Sequence, residues 1–161
     1  MNLEVIYNKE KLINSYFRKK YNYDDEEIFN KQVLELLCEL SELAYETKCF
    51  KYWKNESQSS ADVTIPEFAD CLMITLCFCD LANIDRLEIE NIDEKDMVKL
   101  FIEANYIAST LTVDLDKNKI LRILSILLAI SKLLNYSNEE LNKYCMEKMD
   151  KTLKMISSGT N

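Results

Sequence analysis

The chain has 161 residues, 48% of them hydrophobic, a formal net charge of −8, and only one glycine and one proline. A chain of that length and apolar content reads as one domain with a core of its own. The acidic field argues against gripping nucleic acid or an anionic membrane, and the near-absence of glycine removes hairpin turns and phosphate-cradling loops, which leaves an all-α fold.

Six helices can be placed in chain order. The first spans about Asn2 to Lys20, with Ile6, Ile13 and Phe17 on one face. The run "YNYDDEE" follows, its acids suited to the start of the next helix, about Glu26 to Thr47. A loop, "CFKYWKNESQSSADVT", is longer than a bundle connection needs and reads as a lid or a link. The third helix is expected from "TIPE", with Thr64 as cap, Pro66 in the first turn and Glu67 as the capping-box acid, and it continues to about Asn83. A fourth is expected from about Glu94 to Thr112 and a fifth from Ile120 to Leu134. The last opens on the capping box Ser137 and Glu140 and runs to about Met155. No repeat or linker divides them, so a six-helix bundle over residues 1–161 is the expected architecture.

Six cysteines without a histidine or a C-x-x-C spacing suggest neither zinc nor a disulfide framework, and read as small core residues of a reducing compartment. The N-terminus has no signal-peptide h-region. The run Ile120 to Leu134 is too short for a membrane span and carries Arg122 and Lys132, so a cytoplasmic protein is expected, with that helix in the core or at a subunit interface.

The chemistry concentrates in two acid pairs at i, i+3 spacing, Glu39 with Glu42 and Glu67 with Asp70. Spacing alone is weak, because 28 acids in this chain give about five such pairs by chance. Their surroundings say more. On the second helix Glu35, Glu39, Glu42 and Glu46 form a stripe ~60° wide beside the core stripe Val33, Leu36, Leu40 and Leu43. No lysine or arginine lies between Gln32 and Thr47, and none between Lys54 and Arg86. Like charges at i, i+4 repel, and carboxylates buried without a partner take up protons or find a cation. Oxygen ligands alone suit a hard ion, Mg²⁺ or Mn²⁺, which usually shares its coordination with substrate phosphates. The bland alternative has Glu39 and Glu42 facing water and Glu67 only capping a helix.

Together "ELSE" and "EFAD" resemble the E-x-x-E…E-x-x-D signature of the all-α nucleoside triphosphate pyrophosphatases, the MazG-like superfamily. "LLCELSELAYETKCFKYWKN" looks closest to the dimeric dUTPase branch. The resemblance covers about Glu10 to Ile84. It implies Glu39, Glu42, Glu67 and Asp70 as Mg²⁺ ligands, with Glu39 also orienting or deprotonating the attacking water. It further implies a homodimer or higher oligomer and cleavage of a nucleoside triphosphate, dUTP foremost, to the monophosphate and pyrophosphate. Trp53 would cover a base or sugar, with Lys51 and Lys54 on phosphates; the same aromatics could instead pin the loop to the core. "EKLIN" resembles the family's Q-x-x-L-N nucleotide-contacting motif, with Glu10 where glutamine is expected and Asn14 matching.

Departures cluster where substrates are selected. Met73 and Ile74 stand in place of an aromatic against the base, Asp80 stands where asparagine is frequent, and Lys148 and Gly159 are the remnants of a C-terminal phosphate motif. Lys148, Lys151 and Lys154 could face phosphates or merely complement the dipole of the last helix. These departures favour pyrophosphohydrolysis over uracil specificity. They leave three alternatives: hydrolysis of another nucleoside triphosphate, a non-catalytic nucleotide-binding or interaction module on the same fold, and a plain bundle with solvated acids.

Overall fold

A computed structural model describes residues 1–23 and 25–159. Asp24, within the acidic run ahead of the second helix, and the last two residues of the C-terminal motif lie outside the described residues. Six helices form: α1 (Leu3–Tyr21), α2 (Glu26–Thr47), α3 (Ala61–Leu81), α4 (Met97–Thr110), α5 (Lys117–Leu133) and α6 (Asn138–Ser158). No strand occurs among the described residues.

The helix starts follow side-chain caps. Asn2, Asp25, Asp96, Asp116 and Ser137 each accept from a first-turn backbone N–H, and Ser137 with Glu140 completes the capping box expected from the sequence. Asp96 and Asp116 explain two shifted boundaries: α4 starts after Glu94, and α5 starts ahead of Ile120. The ends show how a chain with so little glycine leaves a helix. Asn22, Asn83 and Asn135 take the left-handed conformation at φ 52°, 53° and 58°, which asparagine tolerates better than most residues. After α3, Asn83 N–H donates to Asp80 O and Ile84 N–H to Cys79 O, the paired closure that satisfies the last carbonyls.

The expected start of α3 is corrected. The helix begins at Ala61 after Ser60, so Pro66 lies inside it, and Thr64 and Glu67 do not form a capping box. Pro66 has no N–H for the Asp62 carbonyl, but Asp62 is in an exposed first turn where water can serve. With no capping duty, the Glu67 carboxyl is available elsewhere.

Helix α3 is the axis of the bundle and packs against α1, α2, α5 and α6, while α2 and α5 also pack against α4. Its all-round apolarity therefore has a partner on every side: Phe68, Leu72, Leu76 and Phe78 are fully buried. Tyr7 pins α1 to this axis by donating from its buried hydroxyl to Ile84 O at 2.7 Å. All six cysteines are free thiols. No helix among the described residues is long and apolar enough to cross a membrane.

Candidate metal and nucleotide site

The close pairing of α2 with α3 brings the two acid motifs face to face. Carboxylate oxygens of Glu39, Glu42 and Glu67 lie within 4.8 Å of one another. Burial, then the charges of Asp70, Glu42, Glu67 and Glu35, push the Glu39 carboxyl up to about 7. Glu67 is raised as well, by burial and then by Glu42 and Asp70. Glu39 and Glu67 thus resist ionising beside their neighbours, and a cation among the three acids would relieve the repulsion. Oxygen donors from two rigid helices, with no nitrogen or sulfur in the cluster, fit a hard divalent ion.

Asp70 stands differently. Lys148 of α6 reaches it and forms an ion pair. The absence of a base holds along α3 and along α2 beyond Lys31, but not in space, because α6 packs against α3 and brings the ammonium across 78 positions of sequence. Lys148 is therefore at the site, on the fourth acid.

A cleft of about 420 Å³ opens between α1, α2 and α3, lined by Glu39, Glu35 and Asp70, by Glu10, Asn14, Gln32 and Cys77, and by apolar walls that include Phe17, Met73 and Ile74. Gln32 donates to Cys77 Sγ at 3.7 Å, which marks the level of the Gln32 end. Glu39 is seven residues further along α2, a rise of about 10 Å. The acid cluster and the buried amide end are thus separated by room for a nucleoside. Asn14 clamps α1 to α3: its Nδ2 donates to Asp80 Oδ2 at 3.1 Å and to Cys77 O at 3.4 Å, and its Oδ1 accepts from the Cys77 thiol at 3.0 Å. Burial, then Asp80, pushes the Glu10 carboxyl up to about 8.

The lid residues lie apart from this cleft. Lys51 and Lys54 both pair with Glu56, and Trp53 is exposed with its ring edge-on to Phe50 and Tyr52. None of the three lines the cleft. Sequence reasoning passed over Gln32, whose signal was a lone amide beside the core stripe of α2, two turns ahead of Glu39. It also had no means of pairing Lys148 with Asp70.

A family model described as dUTPase matches residues 2–158. No curated protein and no solved structure matches the chain. With one acid of each motif lining the cleft of an all-α bundle, and a match that runs nearly end to end, the chain belongs to the dUTPase family, in the dimeric branch of the all-α nucleoside triphosphate pyrophosphatases.

Proposed function

We propose that the protein is a Mg²⁺-dependent nucleoside triphosphate diphosphatase that converts dUTP to dUMP and pyrophosphate. The observation that carries this reading is the cluster Glu39, Glu42 and Glu67, within 4.8 Å of one another, beside a cleft that Glu39 and Asp70 share with Glu10, Asn14 and Gln32. Family membership supports the nucleotide as substrate.

Glu39, Glu42, Glu67 and Asp70 would hold the metal; when bound, Mg²⁺ neutralises phosphate oxygens and acidifies water. Glu39 would orient the attacking water and accept its proton. Were Asp70 to serve as a ligand, Lys148, its present partner, would be free to face the phosphates. The apolar walls exclude bulk water from the nucleoside. Membership in the dimeric branch of the family supports a homodimer.

The test is to incubate the purified protein with Mg²⁺ and each deoxynucleoside triphosphate and to measure pyrophosphate. Release from dUTP is expected; release from none of the nucleotides rejects the reading.

A further inference from the structure

Side chains from both walls of the cleft meet on Cys77 of α3. Helices α1 and α2 each pack against α3 and hardly against each other, so the spacing between them is set by what each holds on α3. From α1, Asn14 brings both ends of its amide to this residue: Oδ1 accepts from the Cys77 thiol at 3.0 Å, and Nδ2 donates to the Cys77 carbonyl at 3.4 Å. From α2, Gln32 donates from Nε2 to Cys77 Sγ at 3.7 Å. All three residues line the cleft, and they are nearly closed to water, at 5% exposure for Cys77, 2% for Asn14 and 6% for Gln32.

Neither amide has a substitute for the thiol. Burial, then the charge of Glu10, pushes the Cys77 thiol up, so it keeps the proton that Asn14 accepts. That proton agrees with only one orientation of the Asn14 amide. Turned over, the amide would set its oxygen against the Asp80 carboxylate and the Cys77 carbonyl, and its NH2 against an S–H donor. Gln32 holds to the sulfur alone, since its carbonyl oxygen has no donor among the described residues. A thiol makes weak hydrogen bonds, but removing it leaves a buried acceptor on α1 and a buried donor on α2 unpaired, and each then bears its full desolvation cost.

We propose that Cys77 is a positioning residue for the nucleotide, whose thiol holds α1 and α2 at the spacing at which the cleft takes the substrate. The proposal rests on the nucleotide reading above and adds to it a residue outside the acid motifs. Cys77 stands seven residues beyond Asp70 on α3, a rise of about 10 Å. Its loss therefore loosens the cleft and leaves the acid cluster in place, so binding suffers and turnover does not. Cys79, the next buried thiol along α3, does not line the cleft and has no such duty.

The test is steady-state pyrophosphate release from dUTP with Mg²⁺ for the unmodified protein, Cys77→Ala, Cys77→Ser and Cys79→Ala, with hydrogen exchange of the Asn14 side-chain NH2 followed by NMR. Cys77→Ala, which removes donor and acceptor together, raises KM by about tenfold and changes kcat by less than about twofold. Cys77→Ser keeps one donor and an acceptor and returns KM to within about threefold of the unmodified value. Cys79→Ala deletes the same sulfur from the core and leaves KM unchanged. The Asn14 NH2 protons exchange slowly in the unmodified protein and fast in Cys77→Ala. An unchanged KM in Cys77→Ala, no recovery in Cys77→Ser, or an equal rise in Cys79→Ala overturns the proposal. Should Cys77→Ala not fold, fast exchange of the Asn14 protons in the unmodified protein, or a KM raised about tenfold in Cys77→Ser, overturns it as well. If the unmodified protein releases pyrophosphate from no nucleotide while those protons exchange slowly, the nucleotide reading itself has failed, and the proposal with it.

Discussion

Lys148 on α6 pairs with Asp70 on α3, while the other three acids of the two motifs crowd together without a base. Lys148 thus holds the acid of the two motifs that stands outside the tight cluster. Both partners are about one-third exposed, 33% each, so the pair has modest strength and can exchange with a stronger cation.

Lys148→Met is therefore expected to lower the melting temperature in a chelator by about 2–4 °C, the equivalent of about 1 kcal/mol for a domain of this size. The same variant should gain more stability from Mg²⁺ than the unmodified protein does, because Asp70 becomes free to join the ligands. Thermal shift with and without Mg²⁺ measures both. Lys151→Met, a charge change on an exposed position of α6, is the control and should do neither.

Stability without metal should fall as pH rises. Glu39, Glu67 and Glu10 have folded-state affinities above the ordinary carboxylate range, about 7 for Glu39 and about 8 for Glu10. The folded protein therefore binds more protons than the unfolded chain between the ordinary range and those values, and stability is lost through that window. Melting curves in chelator from about pH 5 to about pH 8 should show the decline, and Mg²⁺ should flatten the part due to Glu39 and Glu67. A flat profile in chelator would mean that the acids do not crowd as described.

Tyr7→Phe should cost about 1–2 kcal/mol, because it leaves the Ile84 carbonyl without its buried donor. Chemical denaturation would register the loss as a lower midpoint with an unchanged slope.

Pro66→Ala should raise stability by about 1 kcal/mol, since it restores an N–H for the Asp62 carbonyl inside α3. The gain is smaller than in mid-helix because water already reaches that first turn. An unchanged or lowered melting temperature would show that the ring itself packs usefully.

The sequence alone determined the fold class, six helices, and the two acid motifs, because these depend on local order: apolar periodicity, caps and i, i+3 spacing act within a few residues. Its errors were local competitions settled by neighbours, as at α3, where the helix starts at Ala61 with Thr64 and Ile65 buried and Pro66 is an interior residue. Only the tertiary structure decided which acids meet and what answers them. The gathering of Glu39, Glu42 and Glu67, the arrival of Lys148 at Asp70, and the enclosure of Glu10 and Gln32 join residues from separate helices. Charge and hydrogen bonding depend on distance in space, and no periodicity along one helix encodes the partner that another helix delivers.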